Sequence, residues 1–413
     1  MYKRQCENFA ALTQEKVLQQ VDIAPDNDGD IRKSPYILTM TSGSTGSPKP
    51  IVLSQDCKLK RAMAAADLYG VTAEDKVLAA TPLYHSLAQR LVLLPLLMGG
   101  TSIVLPGFSA KNWVQVVSNS RITFTIAVSS QLKQILGYLD TNKSDVSSLR
   151  CLVSSSERIA DNLKEQLLSV LSCEFHECYG ASEVAIVSDL NVKSAPHKLS
   201  SVGKPLSDVN VIILGKDNSV LPAGEVGEIA CATPMAFSGY YRNEEQTSAC
   251  AYYLDNSNGL RFFRTGDLGS LDSDGYLYFN GRLKEIIISG GINIYPKDVE
   301  DAIRTHSAVD EVVVVALPDD RFGEKVVAVI QLKPNVSQAR ELQRSIQKHC
   351  MCQLADFQQP QQIIFVDELK RNAMGKLVRR VVAEQLDHGD GYPDKAREAV
   401  SNGIQSERNA TAR

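Results

Sequence analysis

The sequence predicts an α/β protein with a large N-terminal domain and a smaller α+β C-terminal domain, because its hydrophobic pattern changes twice along the chain. From Tyr36 to about Val187, short β-rich runs alternate with helical segments, which is typical of βα units in a mostly parallel sheet. Residues 202–280 contain short strands interrupted by turn signals such as Pro222-Ala223-Gly224, which indicates an antiparallel, barrel-like section. After Gly281 a third pattern begins, which indicates a separate small domain.

The first region supplies the strands of the predicted parallel sheet. Between two of them, residues 161–171 place Leu163, Leu167 and Leu171 on one helical face. A crossover helix of this kind joins parallel neighbours, whereas a tight turn joins antiparallel ones. The predicted strands are residues 76–81, 101–105, 122–128, 149–154 and 174–179.

The third region predicts a helix at residues 296–306, strands at 312–317 and 326–332, and a helix at 337–351. Pro296 suits the first helical position, where no backbone N–H is needed, and acidic residues follow it. Residues 387–413 are polar without apolar periodicity, which predicts a largely disordered tail. We therefore divide the chain into residues 1–281, 282–386 and the tail.

Composition excludes several classes of function. The 413 residues are 44% apolar and 22% charged, with a net charge of -4, so no basic excess favours a nucleic-acid partner. The longest apolar run, residues 91–98, is shorter than the ~20 residues of a membrane span. The first residues lack a signal core, and nine scattered cysteines suggest reduced thiols, so we predict a cytoplasmic protein.

The most informative segment is Thr41-Ser42-Gly43-Ser44-Thr45-Gly46-Ser47-Pro48-Lys49, which follows a strand-like run. Glycines, hydroxyls and an ammonium group together predict a phosphate-binding loop. A Walker A loop is excluded because Pro48 and Pro50 occupy the positions before and after the lysine. A Ser/Gly-rich linker is the alternative, although the preceding strand counts against it.

Four further segments follow in order: Tyr179-Gly180-Ala181-Ser182-Glu183, then Tyr240-Tyr241 with Arg264-Thr265-Gly266-Asp267, then Gly281-Arg282-Leu283-Lys284, then Arg371-Asn372-Ala373-Met374-Gly375-Lys376. With the glycine-rich loop they resemble the motifs of the adenylate-forming (AMP-binding) superfamily over residues 36–380. Ile292-Asn293-Ile294-Tyr295-Pro296 looks more like the acyl-CoA synthetase branch than like carrier-loading adenylation domains. The resemblance implies an ATP-dependent carboxylate-CoA ligase that forms an acyl-adenylate and then an acyl-CoA, with ATP, magnesium and CoA as its cofactors and co-substrate.

The resemblance implies a nucleotide site. The loop would hold the β- and γ-phosphates, Asp267 and Arg282 the ribose, and the Tyr179 ring the adenine, unless Tyr179 is a core residue. Residues 154–158 depart from the family because serine and glutamate replace its small residues. The predicted ATP/AMP-binding residues are Thr41, Ser42, Gly43, Ser44, Thr45, Gly46, Lys49, Ser155, Tyr179, Gly180, Ser182, Asp267 and Arg282.

The predicted catalytic residues are Lys376, Glu183 and His85. Lys376 would bridge the substrate carboxylate and the α-phosphate, although a solvated lysine beside Arg379 is the alternative. Glu183 offers a carboxylate for magnesium, and its alternative is a surface glutamate. His85 would border the acyl and thiol pocket, and an ordinary loop histidine is an equal alternative.

The resemblance also implies a moving C-terminal domain. Lys284 falls at the family's hinge position, and Ser289, Gly290 and Gly291 would line the path of CoA; an ordinary turn is the alternative. Residues 91–97 predict an apolar helix, which favours a fatty or other apolar carboxylic acid, although the leucines are also typical of core.

Two alternatives stay open. The acceptor could be a carrier-protein phosphopantetheine, and the chain could be a non-catalytic nucleotide-binding relative. Family members have a much longer segment before the glycine-rich loop, so we expect an incomplete first subdomain. Bare apolar faces would then favour a homo-oligomer.

Overall fold

The computed structural model of the chain describes residues 31–41, 49–83, 85–254, 259–334, 336, 340–369, 371 and 377–388. Within these residues the helices are α1 (Gln55–Tyr69), α2 (Ser86–Met98), α3 (Ala110–Ser120), α4 (Ser129–Thr141), α5 (Asp161–Val170), α6 (Glu244–Ala249), α7 (Pro296–Arg304), α8 (Arg340–Gln353) and α9 (Arg379–His388). The strands are β1 (Pro35–Thr41), β2 (Lys49–Ser54), β3 (Lys76–Ala79), β4 (Thr101–Val104), β5 (Phe124–Ala127), β6 (Cys151–Ser155), β7 (Glu174–Ala181), β8 (Ala185–Asn191), β9 (Lys204–Pro205), β10 (Asn210–Leu214), β11 (Gly227–Ala232), β12 (Gly239–Tyr240), β13 (Ala251–Tyr253), β14 (Arg261–Leu271), β15 (Leu277–Arg282), β16 (Ile287–Ser289), β17 (Ile292–Ile294), β18 (Val309–Asp319), β19 (Gly323–Leu332) and β20 (Gln362–Val366).

A seven-stranded sheet in the order β4-β3-β5-β6-β7-β8-β9 forms the centre of the large domain. The pairs from β4 to β7 are parallel, whereas β8 and β9 are antiparallel to their neighbours. The predicted α/β class with βα units is therefore confirmed. The chain reverses after β7 in a short turn, so the carboxyl end of β7 lies directly beside the start of β8.

Both faces of this sheet are buried. One face packs against a cluster that includes Trp113, Ile122 and Phe175. The other face packs Phe124, Cys151 and other side chains against helices α1 and α2. Parallel strands covered on both faces require continuous apolar runs, which is why the pattern of the first region was readable in the sequence.

Two smaller sheets complete the large domain. β1 and β2 form an antiparallel hairpin that β12 extends on the β2 side. The five-stranded antiparallel sheet has the order β10-β11-β14-β13, with β15 also paired to the long strand β14. This second sheet confirms the predicted antiparallel section after residue 202.

The C-terminal region has its own sheet, in the order β17-β16-β19-β18, with β20 parallel to β19. Helices α7 and α8 flank it, and a core of valines and isoleucines fills the space between them. Pro296 occupies the first turn of α7 as predicted, but the helix ends at Arg304, two residues before the predicted end. The α+β character of this region is confirmed, whereas the exact division of the chain into domains stays a prediction.

Some predictions concern residues outside the described ranges. Most of the predicted disordered tail, from residue 389, is among them. The prediction is wrong for residues 387 and 388, which belong to α9. Among the described residues, no helix combines the length and apolar character needed to cross a membrane.

Candidate active site

The hairpin of β1 and β2 carries the predicted phosphate-binding loop. Thr41 and Lys49 are Cα partners in this hairpin, so the two ends of the loop lie side by side. Residues 42–48 and the Thr41 side chain lie outside the described part, so Ser42, Gly43, Ser44, Thr45 and Gly46 stay predictions. Lys49 follows directly, and its Nζ lies 5.5 Å from the centroid of the Tyr240 ring, within the range of a cation–π interaction.

Tyr240 joins this lysine to the predicted magnesium ligand. Its hydroxyl donates a hydrogen bond of 3.0 Å to Oε1 of Glu183. Burial, and then the Glu183 carboxylate, raise the pKa of Tyr240 above its usual value, so the phenol stays a proton donor at neutral pH. Pairing of β12 with β2 brings Tyr240 to this position. The arrangement fixes one oxygen of Glu183 at the edge of the hairpin.

The Glu183 carboxylate fits a magnesium ion. Mg²⁺ prefers hard oxygen ligands, and Glu183 is a half-buried carboxylate in the turn between β7 and β8, joined through Tyr240 to the strand beside the glycine-rich hairpin. Its orientation by Tyr240 reduces the side-chain freedom that ion binding would otherwise remove. Magnesium binding is therefore a proposal that rests on the carboxylate oxygens of Glu183.

Arg61 of α1 holds the backbone of the turn that carries Glu183. Its guanidinium donates to the carbonyl oxygens of Ser182 at 2.9 Å, Glu183 at 2.8 Å and Met235 at 2.9 Å. Only 3% of Arg61 is exposed, and burial lowers its pKa to about 10. The buried guanidinium is stable in this position because each of its hydrogen bonds pairs one N–H donor with one backbone carbonyl acceptor.

A tight backbone approach also shapes this turn. A Cβ atom at Gly180 would lie 1.8 Å from the carbonyl oxygen of Ala185, so no larger residue fits there. Ala185 itself has a φ of 63°, the left-handed conformation that alanine rarely adopts. The turn itself therefore requires glycine at position 180. Nucleotide contacts of Gly180 and Ser182 stay predictions.

The predicted ribose-binding residues come together on the neighbouring sheet. Asp267 on β14 and Arg282 on β15 are Cα partners, and Arg282 Nε lies 3.4 Å from Asp267 Oδ1. The Tyr179 hydroxyl donates to Asp267 Oδ2 at 2.8 Å. Tyr179 therefore connects the end of β7 to the antiparallel sheet, and Asp267 faces the same edge as Glu183.

The environment of Asp267 changes its acidity. Burial raises its pKa to about 6, although Arg282 and the Tyr179 hydroxyl both favour the charged form. An ionised carboxylate accepts hydrogen bonds from two adjacent hydroxyl groups, whereas a protonated one accepts them less well. Because of the raised pKa, Asp267 changes between its protonated and ionised forms close to physiological pH.

Tyr179 itself is only 8% exposed, and its ring centroid lies 5.9 Å from that of Phe279. This burial supports the alternative that Tyr179 is a core residue. Adenine stacking on this ring stays a prediction.

Ser155 lies at the carboxyl end of β6, paired with Cys178 of β7. The next residue, Ser156, has a φ of 78°, a conformation that glycine adopts with less strain. This is the segment where the sequence departs from its family, and serine occupies a position that favours glycine. The placement of Ser155 at the same sheet edge as Tyr179 is compatible with its predicted nucleotide contact.

His85 immediately precedes α2 and is half-buried. One turn later, Gln89 Oε1 lies 3.4 Å from Thr39 Oγ1 on β1 and accepts from Lys58 at 3.1 Å. The start of α2 therefore lies near the glycine-rich hairpin. The Leu91 and Leu94 side chains are fully buried, while Leu96 and Leu97 are exposed, so part of the leucine stripe is core.

The predicted hinge lies in the 3-10 turn Leu283–Glu285 that follows β15. Lys284 is exposed there, and Glu285 accepts a hydrogen bond of 3.0 Å from Arg379. Arg379 also donates to Glu300 at 2.7 and 2.6 Å, so it links α9, α7 and the residue after the hinge. The hinge role of Lys284 stays a prediction.

The predicted CoA-path residues form the hairpin between β16 and β17. Gly290 and Gly291 have φ values of 57° and 80°, and Gly290 N–H donates to Phe322 O at 2.8 Å. Ser289 is buried at the end of β16. Two consecutive left-handed residues require glycine here, and the contact of this hairpin with CoA stays a prediction.

Lys376 lies outside the described residues. The chain is described on either side of it, where Arg371 and Leu377 form an isolated antiparallel bridge. Arg371 also forms an ion pair with Glu311 on β18, and Lys133 of α4 lies 3.7 Å from the same glutamate. Arg371 thus lies beside a contact between the C-terminal sheet and the large domain.

Two side chains of this site were missed by sequence reasoning. Arg61 and the hydrogen-bonding role of Tyr240 depend on contacts between residues far apart in the chain. One signal was present for Arg61: it shares a helical face with Ala62, Ala65 and Ala66, the small buried residues of α1. A basic residue on an alanine-rich buried face indicates a partner across the interface.

Comparison with known proteins agrees with this geometry. Residues 2–241 match the family described as AMP-binding enzyme, and residues 298–376 match the AMP-binding enzyme C-terminal domain. An indoleacetate–CoA ligase of Aromatoleum aromaticum is 32% identical over 360 residues, which cover 86% of this chain and 68% of that protein. A medium/long-chain-fatty-acid–CoA ligase of Mycobacterium tuberculosis is 30% identical over 389 residues, which cover 92% of this chain and 65% of that protein.

Solved structures are similar over the same range. ATP-bound MatB of Rhodopseudomonas palustris has a TM-score of 0.78 at 28% identity, with 86% of this chain and 68% of that chain covered. The MenE o-succinylbenzoate–CoA synthetase of Bacillus subtilis, solved with ATP and a magnesium ion, has a TM-score of 0.73 at 30% identity, with 84% and 70% covered. The chain thus spans about two thirds of the length of these relatives.

We expect Arg61→Met to weaken ATP binding in the presence of magnesium by about tenfold, because three backbone carbonyls lose a donor and the turn of Glu183 relaxes. Arg61→Lys should restore part of the affinity. The matched control is Lys60→Met, which removes an exposed lysine of the same helix that pairs with Asp56. Calorimetric titration with ATP measures the effect, and unchanged affinity in a folded Arg61→Met protein would contradict the role.

We also expect nucleotide affinity to fall as the pH decreases through about 6, the pKa of Asp267. Above this pH the carboxylate is ionised and accepts the ribose hydroxyls, and below it the proton must be removed before binding. Asp267→Asn should bind AMP more weakly at pH 8 and should lose this pH dependence. The prediction fails if both proteins show the same change in dissociation constant between pH 8 and pH 5.

Proposed function

Because the chain belongs to the AMP-binding enzyme family, we propose that it activates a carboxylic acid with ATP and transfers the acyl group to CoA. Membership confirms the prediction of the adenylate-forming superfamily, and the relatives named as CoA ligases support the proposal of a carboxylate–CoA ligase of the AMP-forming type. The observation that supports activity in this chain is the continuous set of contacts around the end of β7. There the Tyr179 hydroxyl bonds Asp267 and the Tyr240 hydroxyl bonds Glu183.

The first step would form the acyl-adenylate. A carboxylate oxygen of the substrate attacks the α-phosphorus, the bond to the bridging oxygen of the β-phosphate breaks, and pyrophosphate leaves. Lys49 lies at the base of the glycine-rich hairpin, where its charge would favour the leaving pyrophosphate. A magnesium ion held by Glu183 would supply further charge neutralisation on the polyphosphate.

Lys376 would act on the other side of the α-phosphate. Its ammonium group is assigned to the substrate carboxylate and an α-phosphate oxygen, which repel each other until a cation lies between them. The second step needs a different partner: the thiolate of CoA attacks the acyl carbon, and AMP leaves with the electrons of the broken C–O bond. A rotation of the C-terminal domain about Lys284 would remove Lys376 from the active site. It would bring the hairpin of Ser289, Gly290 and Gly291 there instead.

The contacts between the two parts of the chain would have to change in such a rotation. Lys133 lies 2.7 Å from Asp310, and Arg158 lies 3.0 Å from Asp301, each pair joining a helix or loop of the large domain to the C-terminal region. Both pairs are partly exposed, so each is worth only about 0–1 kcal/mol. They would hold the present arrangement without preventing a swing.

We propose a fatty or other apolar carboxylic acid as the substrate. The named activities of the two relatives on indoleacetate and on medium- or long-chain fatty acids support this class. A cytoplasmic location also belongs to the proposal, since the described cysteines are all free thiols. A carrier-protein acceptor and a homo-oligomer are retained as alternatives to be measured.

The test is carboxylate-dependent exchange of labelled pyrophosphate into ATP, with indole-3-acetate, medium- and long-chain fatty acids, and malonate as a charged comparison. We expect exchange with apolar acids and a decrease of about 10²–10³-fold in Lys376→Ala, because an electrostatic stabiliser of the transition state is lost. Lys216→Ala is the control, since that exposed lysine lies in the turn between β10 and β11.

The acceptor is identified in a second assay with preformed acyl-adenylate. Lys376→Ala should still transfer the acyl group to CoA, because that lysine is assigned only to the first step. Acylation of a carrier protein in place of CoA would select the alternative acceptor. Absence of exchange with every acid would contradict the enzymatic proposal and leave a nucleotide-binding relative.

A further inference from the structure

Three side chains with metal-binding atoms meet at the amino-terminal edge of the central sheet. Cys151 begins β6 and Glu174 begins β7, and the two are Cα partners in the parallel pair. His176 follows Glu174 by two residues, so its side chain lies on the same face of β7. One ligand atom from each of the three side chains lies within 4.8 Å of the others.

His176 is oriented as metal-bound histidines usually are. Its Nδ1 lies 2.6 Å from Oδ2 of Asp189, and the Tyr69 hydroxyl donates to the other oxygen of Asp189 at 3.1 Å. A carboxylate that accepts a hydrogen bond from Nδ1–H fixes the tautomer whose Nε2 lone pair can bind a metal. Nε2 lies 3.7 Å from Oε2 of Glu174, on the side of the proposed ligands, and its 3.4 Å contact with Nδ2 of Asn191 would be replaced by the metal.

Metal binding requires the ligand atoms, which lie within 4.8 Å of one another, to move up to about 1 Å closer. With bond lengths of about 2.0–2.3 Å, ligand atoms of a tetrahedral zinc site lie roughly 3.3–3.6 Å apart. Glu174 is the most exposed of the three side chains, at 59%, and can rotate toward the buried pair. Its exposure also provides an entry path and leaves room for a water molecule as the fourth ligand.

The surrounding charges permit a dication. A Cys151 thiolate and the Glu174 carboxylate together would balance two positive charges. The nearest guanidinium, Arg150, is engaged by both oxygens of Asp75 at 2.8 Å and by the carbonyls of Tyr69 and Gly70. Burial raises the pKa of the Cys151 thiol to about 12, so metal binding has to release its proton.

We propose that Cys151, Glu174 and His176 form a binding site for a borderline-soft transition-metal dication such as Zn²⁺. Cys151 and Ser155 are the two ends of β6, about 13 Å apart at the usual rise per residue, so this site lies across the sheet from the nucleotide site. Sulfur, nitrogen and carboxylate oxygen together suit zinc and cobalt, whereas magnesium prefers oxygen alone. The bound ion would tie the start of β6 to the start of β7.

The test uses the full chain after treatment with a chelator, with Co²⁺ as the optical probe. We expect one equivalent of Co²⁺ to give the near-ultraviolet charge-transfer absorption of a cobalt–thiolate bond, and Zn²⁺ to abolish it by displacement. Cys151→Ser should lose this band. Cys173→Ser should keep it, because Cys173 is a buried cysteine close in the chain that packs in a different core cluster.

Two further measurements separate a built site from adventitious binding. Zn²⁺ should raise the melting temperature of the wild-type protein but not that of Cys151→Ser, and binding should release a proton. Asp189→Asn should bind Co²⁺ about 10–100-fold more weakly, because the orientation of His176 is lost. The proposal is overturned if the wild-type protein gives no thiolate band, or if the band persists in Cys151→Ser.

Discussion

The turn between β7 and β8 depends on a buried arginine. Parallel pairing ends at β7, and the chain must reverse within a few residues to place β8 antiparallel to it. In that turn the Phe237 N–H donates to the carbonyl of Glu183 at 2.7 Å, and Arg61 donates to the carbonyls of both Ser182 and Glu183. Its third bond, to Met235, holds the segment before β12 in the same place. One side chain thus positions the two segments that supply Glu183 and Tyr240.

Three sheets meet around this turn, and each contributes a group of different chemistry. The hairpin of β1 and β2 brings a cation, the central sheet a carboxylate, and the antiparallel sheet the pair of Asp267 and Arg282. Two tyrosine hydroxyls connect them, one to each carboxylate. Hydrogen bonds to ionised acceptors are stronger than neutral ones, so they can fix carboxylates whose burial is unfavourable. The same burial raises the pKa of Asp267, which makes its charge state sensitive to pH.

Much of the fold could be predicted from the sequence because its main sheet is parallel and buried on both faces. Apolar runs for β3, β5 and β7 were located to within a few residues, and Pro296 marked the start of α7. The end of that helix was misplaced by two residues because polar residues near a helix end give no sharp signal. Neither β8, with seven residues, nor β9, with only two, was predicted from the sequence.

The candidate site was predictable where its residues form short local motifs, and hidden where they act across the fold. Glu183, Asp267 and Arg282 belong to such motifs, and the structure brings Asp267 beside Arg282. Arg61 and its bond to Met235 join residues 174 positions apart, and no local pattern records a contact of that kind. The Cys151, Glu174 and His176 group was hidden for the same reason, since only the register of β6 and β7 places them together.

The central claim is that Tyr240 serves nucleotide binding through Glu183. A double-mutant cycle tests it, with ATP dissociation constants measured in the presence of magnesium for Tyr240→Phe, Glu183→Ala, the double variant and the wild-type protein. The account predicts that Tyr240→Phe weakens binding about tenfold in the wild-type background and has little effect once Glu183 is absent, because a hydrogen bond to a charged group is worth about 1.5–3 kcal/mol. Equal losses in both backgrounds, additive within about 0.5 kcal/mol, would contradict it.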